Sequence, residues 1–525
     1  MARSTGLILP AYRQGDLEAS RLRTLGILLL KIVLAAVYGA LVVMLPPEKL
    51  FMLILPVVVM LLVVLWMLPD RTSFPLGAIE RFFPTYLVLM VIWPTYLAVA
   101  LPGLPWMTPT RIFLFILTFL MLFSIATSGA LRHHLYTIAR SNRGLWTALL
   151  IWQVTLFITL PFSQTIGISI KMVFDDEIRL AGMFFLGCLI FTRQGAATKT
   201  LRMLIILAVL CSLEGFVELR MEHPPWADYI PAFLRADEGA INNALGSQAR
   251  FVDGLYRVRG PFSGSLILAE YLAYCVPFII HWMVTGRTVL VRLSMIPVFL
   301  IVFASILVTQ SRLGLVGALA AVMAYVPIWA WRKWRSDKTA VSGPLVLLGA
   351  PVFAIMLLGL VLSSRTLSTR VFGGGAQAAS TEARAAQRRM AVPKVIANPI
   401  GHGTGQSGQV LGFVNLGGYM TIDNHYLTTV LDLGVVGLFA FYGMFGFATW
   451  SGIGLYIRAR NREMELAGPL SIMFLEFFVI KSVLSEEVNH ALVFLLLGMM
   501  MALKARDIRA QEPGGNTPHP VLSLT

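Results

Sequence analysis

Arg257-Val258-Arg259-Gly260-Pro261-Phe262, Ser311-Arg312-Leu313-Gly314 and Asp423-Asn424-His425-Tyr426-Leu427 each stand where an apolar stretch meets a polar one. A guanidinium offers a planar fork of donors matched to phosphate oxygens. An imidazole near its neutral pKa can take a proton from a sugar hydroxyl. Cations gathered at a membrane surface point to an anionic, lipid-linked substrate. Arg257, Arg259, Arg312 and His425 are therefore the first residues to follow.

Each has a plainer reading beside the chemical one. Arg257 and Arg259 can snorkel from a helix end to the interface. Arg312 sits in a turn of almost no length between two apolar runs, where an arginine is costly and needs a substrate or a distant carboxylate. Asp423 and Asn424 fit a helix N-cap, which leaves His425 unexplained. Arg384, Arg388 and Arg389 form either a solvated basic face or an electrostatic collar for a diphosphate. Gly401-His402-Gly403-Thr404-Gly405 reads as a flexible turn more than as a phosphate cradle. His133, His134 and His281 carry no such signal. Glu486, Glu487, Asn489 and His490 read as a polar turn between spans that could also supply an acid or base. Lys31 and Glu214 lie inside apolar runs, where pairing or pore lining accounts for either.

Composition says what must hold these groups. The chain has 525 residues, of which 57% are hydrophobic and 13% charged. Soluble domains carry roughly 25% charged residues. Mean hydropathy is +0.76. An all-α, polytopic transmembrane bundle follows, since a membrane barrel would show short alternating segments. The net charge of +15 is explained by basic cytoplasmic loops and not by nucleic acid. Cys188, Cys211 and Cys275 lie in apolar stretches as small hydrophobes, and no zinc or redox spacing is present. No metal or cofactor is expected.

Apolar runs of spanning length fall near 25–45, 50–68, 84–101, 110–130, 145–162, 179–192 and 201–217, then near 263–283, 291–310, 313–331, 343–362, 425–450, 466–481 and 490–503. The run at 179–192 is short, and residues 163–178 fit an interfacial or re-entrant helix, so the expectation is 12 to 14 spans. The first run lacks a cleavage site and reads as an uncleaved anchor. Lysines and arginines alternate between loops as the positive-inside principle requires, which puts both termini in the cytoplasm. The expected organisation is a cytoplasmic segment 1–24, a bundle 25–217, a periplasmic loop 218–262, spans within 263–362, a large periplasmic loop 363–424, spans within 425–503 and a cytoplasmic tail 504–525. Four spans separate the two long loops, so they share a face, and the turn at Thr309 to Arg312 shares it too. Gly373 to Ser380 reads as flexible, an arginine-rich helical stretch follows it, and the tail from Gln511 reads as disordered.

From Tyr256 to Gly437 the chain resembles the O-antigen ligase/polymerase superfamily of bacterial membrane glycosyltransferases. The resemblance is carried by Arg259-Gly260-Pro261-Phe262 with Leu268-Ala269-Glu270-Tyr271-Leu272, by Gln310-Ser311-Arg312-Leu313-Gly314, by Asn398-Pro399-Ile400-Gly401-His402-Gly403, and by Asn424-His425-Tyr426-Leu427 with Leu433-Gly434-Val435-Val436-Gly437. It implies a C-type glycosyltransferase fold in the bacterial inner membrane, with a periplasmic site and no nucleotide sugar. It implies that Arg259 and Arg312 hold the diphosphate of an undecaprenyl-diphosphate-linked glycan. His425 would activate the acceptor hydroxyl or assist the leaving diphosphate. Inversion at the anomeric carbon would follow.

Two departures bear on the branch. The family often has Asn where Ser265 to Ile267 stand, and ligases frequently follow the histidine with Asn, where this chain has Tyr426. The Asp-Asn-x-Tyr-Leu form is similar to the exopolysaccharide polymerases. The expected activity is polymerisation of lipid-linked repeats into exopolysaccharide or O-antigen. Ligation of glycan to lipid A core is the near alternative, and a transporter or flippase the distant one. A transporter should show mid-membrane charges and inverted repeats, whereas the charges here lie mainly at interfaces and no repeat is evident. A chain-length regulator or a flippase would be the protein partners.

Overall fold

A computed structural model describes residues 28–29, 31–33, 35–37, 39–40, 50–70, 75–100, 106–235, 238–245, 251–252, 255–339, 341–363, 378–414, 418 and 420–511. The expectations for residues 1–24, for Gly373 to Gln377 and for the tail beyond Gln511 lie outside these. The chain divides into two compact units, residues 1–62 with 102–104 and residues 63–101 with 105–525.

The architecture is all-α. Helix α1 is Leu50–Trp66, α2 Leu76–Ile92, α3 Pro109–Thr127, α4 Gly129–Ser141 and α5 Arg143–Ile158. Then come α6 (Ile166–Asp176) and α7 (Gly182–Ile190), joined without a break by the π-turn Glu177–Ala181, and α8 (Ala196–Met221). After the short α9 (Glu238–Leu245) stands the one described hairpin, β1 (Phe251–Val252) against β2 (Leu255–Tyr256), with Phe251 opposite Tyr256. The second half holds α10 (Ser265–Thr285), α11 (Val289–Val308), α12 (Arg312–Ser336), α13 (Ser342–Ser363), α14 (Ala378–Ala397), α15 (Ser407–Leu411), α16 (His425–Arg458), α17 (Ala467–Lys481) and α18 (His490–Gln511).

Among the described residues, seven helices are long and apolar enough to cross a membrane: α3, α5 with its following turn, α8, α10, α11, α12 and α16. Two other expected spans fall in the 22-residue helices α13 and α18, and several of the rest correspond to shorter or interrupted elements. Helices α1 and α2 have 17 residues each and α17 has 15. The expected run at 84–101 is helical only to Ile92, where Pro94 follows and the chain leaves the helix. The expected re-entrant segment and the short run after it form one rod, α6–π–α7. Ala378 to Ser380, expected to be flexible, open α14.

The layering follows from which faces are apolar. Helix α10 is buried continuously from Ile267 to His281, so it is a central helix. Helix α11 turns Leu290, Leu293 and Leu300 outward. An apolar outer surface is what lipid requires and water forbids.

One cluster of buried polar groups inside the bundle is closely paired, as a low-dielectric interior favours. Lys481 Nζ stands 2.8 Å from Glu270 Oε1, and both side chains are fully buried. Glu270 also accepts from the Tyr274 hydroxyl at 2.8 Å and from Asn489 Nδ2 at 2.8 Å. Lys481 donates further to the Glu486 carbonyl, and Ser485 Oγ donates to the Ile422 carbonyl. These bonds hold the connection between α17 and α18, residues 482–489, against α10 and against the segment that leads into α16.

Candidate active site

Helix α16 begins with an N-cap. Asn424 Oδ1 accepts from the backbone N–H of Tyr426 at 2.8 Å and of Leu427 at 3.3 Å. Asp423 receives a different role: its backbone N–H donates to Gln387 Oε1 of α14 at 3.0 Å. The capped first turn carries His425, which is buried. A kink at Gly434 (φ 71°, ψ −173°) separates this short segment from the rest of α16.

That kink explains the Gly401–Gly405 loop. Gly401, Gly403 and Gly405 all have positive φ, at 105°, 91° and 79°. A Cβ on Gly434 would lie 2.3 Å from the Ile400 carbonyl carbon, and one on Gly401 would lie 2.5 Å from the Gly434 nitrogen. Only glycine permits this approach. The loop's donors are then spent on α16. Asp432 accepts from the N–H groups of Gly405 (2.9 Å), Gln406 (3.0 Å) and Ser407 (2.6 Å). His402 and Gly403 donate to the carbonyls of Leu431 and Asp432. The segment is a tied brace, which corrects its reading as a flexible turn and leaves it little capacity to cradle a phosphate.

His425 Nδ1 lies 2.8 Å from the Tyr442 hydroxyl and 3.1 Å from the Thr429 hydroxyl, either of which can donate or accept. The ring is thus fixed in either tautomer. On its other edge, Nε2 stands 3.4 Å from Glu487 Oε1. Phe441 packs beside the imidazole at 5.2 Å and His490 meets it edge-to-face at 4.7 Å.

Glu487 is the more open member of the pair, with its side chain 38% exposed against 4% for His425. Its other oxygen receives Arg179 Nη2 at 3.0 Å, and Arg179 Nη1 donates to its carbonyl at 2.7 Å. Arg179 also pairs with Asp175 at 3.0 Å and Asp176 at 3.3 Å. It lies in the π-turn, a bulge of the kind that recurs at functional sites. Burial opposes the charge on Glu487, but the His425 hydrogen bond and the Arg179 charge outweigh it and hold the carboxyl below its ordinary value.

A cavity of about 30 Å³ opens here, bounded by His425, Glu487, His490, Asp176, Asp432 and Thr404 among others. It is large enough for one or two waters or for a hydroxyl (a water needs about 10–15 Å³). His425, Glu487 and His490 place one ligating atom each within 4.8 Å of one another.

The arginines marked in the sequence gather elsewhere around α12. Arg257 Nε donates to the Thr309 carbonyl at 3.4 Å, three residues ahead of Arg312. Arg384 of α14 lies within electrostatic range of Arg312. Arg259 is buried over Glu218, with Nε 4.0 Å from Oε1, and Glu218 Oε2 accepts from the N–H groups of Arg259 (3.1 Å) and Gly260 (2.7 Å). Arg388 and Arg389 are exposed. None of Arg257, Arg259, Arg312 and Arg384 bounds the cavity beside His425. Helix α14 links the two groups, through Arg384 on one side and Gln387 on the other.

Residues 297–442, from α11 through the first half of α16, match the family model described as O-Antigen ligase. Over that stretch the chain is similar to the O-antigen ligase family. No curated protein matches it. The matched stretch holds Arg312, Arg384 and His425, whereas Arg179, Arg259, Glu487 and His490 lie outside it.

Arg179 is the site residue that sequence reasoning missed, whereas Glu487 and His490 read there as a polar turn that could also supply an acid or base. Glu487 and His490 had a signal, being polar residues at the mouth of a late span. Arg179 had only its acidic neighbours Asp175 and Asp176, since its reach to Glu487 depends on how α6 and α7 join.

Proposed function

We propose that this enzyme polymerises undecaprenyl-diphosphate-linked oligosaccharide repeats into exopolysaccharide or O-antigen at the periplasmic face of the inner membrane. The observation that carries the reading is the buried His425 imidazole set against the Glu487 carboxylate at a cavity the size of a hydroxyl group. A hydroxyl of the acceptor glycan enters between them and attacks the anomeric carbon of the donor in line. The new glycosidic C–O bond forms as the bond to the diphosphate oxygen breaks, so configuration inverts. The hydroxyl proton passes to His425, and ionised Glu487 faces the imidazolium that results. The lipid diphosphate leaves as an anion, stabilised by Arg312, Arg257 and Arg384 acting as preorganised donors. Arg259 belongs to the same face, anchored through Glu218.

The polymerase assignment is supported by the Asp423-Asn424-His425-Tyr426-Leu427 form. The family description favours a second reading, in which the glycan is transferred to lipid A core. One experiment separates them. Purified protein is incubated with undecaprenyl-diphosphate oligosaccharide, first alone and then with lipid A core. A product ladder without core establishes the polymerase, and product only with core establishes the ligase. Movement of donor lipid across a vesicle bilayer without any new glycosidic bond would overturn both and make the protein a flippase.

A further inference from the structure

Away from the histidine site, three helices meet at a sharp elbow. Ser128 ends α3 and caps α4, and Asn142 ends α4 and begins α5. Helix α4 is two-faced. Leu131, His134 and Ile138 are buried, while His133, Tyr136 and Arg140 face outward. Its inner face is fastened to α18 by Arg509 Nη2, 3.2 Å from His134 Nδ1.

In the angle of the elbow lies an open cavity of about 420 Å³. That volume is typical of ligand sites, which run to about 300–1,000 Å³. Ile125, Leu135 and Trp146 supply apolar walls, and Arg132, Arg140 and Arg143 stand around them. The charge of Arg132 is already answered. It donates to Asp70 at 2.8 Å and to the carbonyls of Ile125 and Ala126 at 3.0 and 2.8 Å. Arg140 and Arg143 are exposed, and among the described residues neither makes an ion pair. Arg140 lies 5.7 Å from the centre of the Tyr136 ring.

Two cations at the lip of an apolar cleft, at the end of a membrane-crossing helix, match one chemistry well. We propose that this elbow binds an anionic phospholipid, with its phosphate between Arg140 and Arg143 and an acyl chain along Ile125, Leu135 and Trp146. A free phosphate would gain nothing from the apolar walls. A zwitterionic lipid would place a choline cation beside two guanidinium groups.

Lipid titration of the delipidated full-length protein in detergent, followed by native mass spectrometry, tests this. Phosphatidylglycerol should bind more tightly than phosphatidylcholine. Arg140→Gln and Arg143→Gln should each weaken phosphatidylglycerol about fivefold, with no change for phosphatidylcholine. Both side chains are exposed, so the fold is expected to survive in each variant, and either one suffices if the other does not purify. Excess inorganic phosphate should not displace the lipid. Equal affinity for the two lipids, an unchanged affinity in both variants, or displacement by phosphate alone would overturn the proposal.

Discussion

His425 Nε2 and Glu487 Oε1 face each other at 3.4 Å across the junction of α16 with the α17–α18 connection, although a whole helical hairpin separates them in sequence. The pairing joins a buried ring, locked by Tyr442 and Thr429, to a carboxylate locked by Arg179. If the pair moves the acceptor proton, removing the carboxylate charge must slow chemistry. Glu487→Gln keeps the shape and should lower turnover by about 10²–10⁴-fold, the usual contribution of a positioned acid–base group. Glycan product per unit of membrane-inserted enzyme is the measurement. Turnover within a factor of three of wild type would remove Glu487 from the chemistry.

The same carboxylate predicts a pH dependence. Its folded-state pKa lies below the ordinary value, because the His425 bond and the Arg179 charge overcome burial. A depressed pKa contributes stability that is complete above the unfolded value, about 4.3. The contribution is lost as pH falls through the folded value. The melting temperature of wild type should therefore exceed that of Glu487→Gln by a constant margin from pH 7 to pH 5, and the margin should close in stronger acid. A margin that widened in acid would contradict the pairing.

Much of the fold was open to reading in the sequence because it rests on local rules. Long apolar runs became long helices, the Arg384–Arg389 stretch became α14, and Asn424 became a cap. The site was only half visible, for a physical reason. Arg312 and His425 stand at helix starts, where position alone marks them. Glu487 acquires its meaning from a 3.4 Å contact with His425 and a 3.0 Å contact with Arg179, and no periodicity encodes either. The glycines at 401, 403 and 405 looked loose because glycine permits looseness. Here they permit a close approach instead.

Gly434 tests that brace. Its φ of 71° and the 2.3 Å gap to Ile400 leave no room for a methyl group. Gly434→Ala should destabilise the protein by about 1–3 kcal/mol or more, combining left-handed backbone cost with overpacking. It should also lower activity, because the nine residues ahead of the kink carry His425. Gly446, with nothing within 4 Å, is the control: Gly446→Ala should leave the melting temperature unchanged or slightly raised.

Arg312 and Arg259 should fail differently. Arg312 is partly exposed at the start of α12, so Arg312→Ala should abolish product while the protein still reaches the membrane in normal amount. Arg259 is buried against Glu218, so Arg259→Ala should reduce both product and the amount of folded protein. Quantifying each variant by fluorescence-detected size exclusion alongside product formation distinguishes the two. Equal folded yield for both variants would argue that Arg259 has no structural role.

The Glu270–Lys481 pair offers a sharper test of what positions Glu487. Both groups are fully buried, and Lys481 also holds the Glu486 carbonyl, one residue from the carboxylate at the site. Removing one partner of a buried pair strands the other charge and costs about 3–5 kcal/mol. Lys481→Met should therefore lower the melting temperature strongly. Lys481→Met with Glu270→Gln removes both charges and should recover much of that loss. Activity should not recover with it, since the double variant still lacks the ammonium that fixes the Glu486 carbonyl. Full rescue of both stability and turnover would mean that the ion pair serves the bundle alone and that residues 482–489 are held by their other bonds, Asn489 to Ile267 and Ser485 to Ile422.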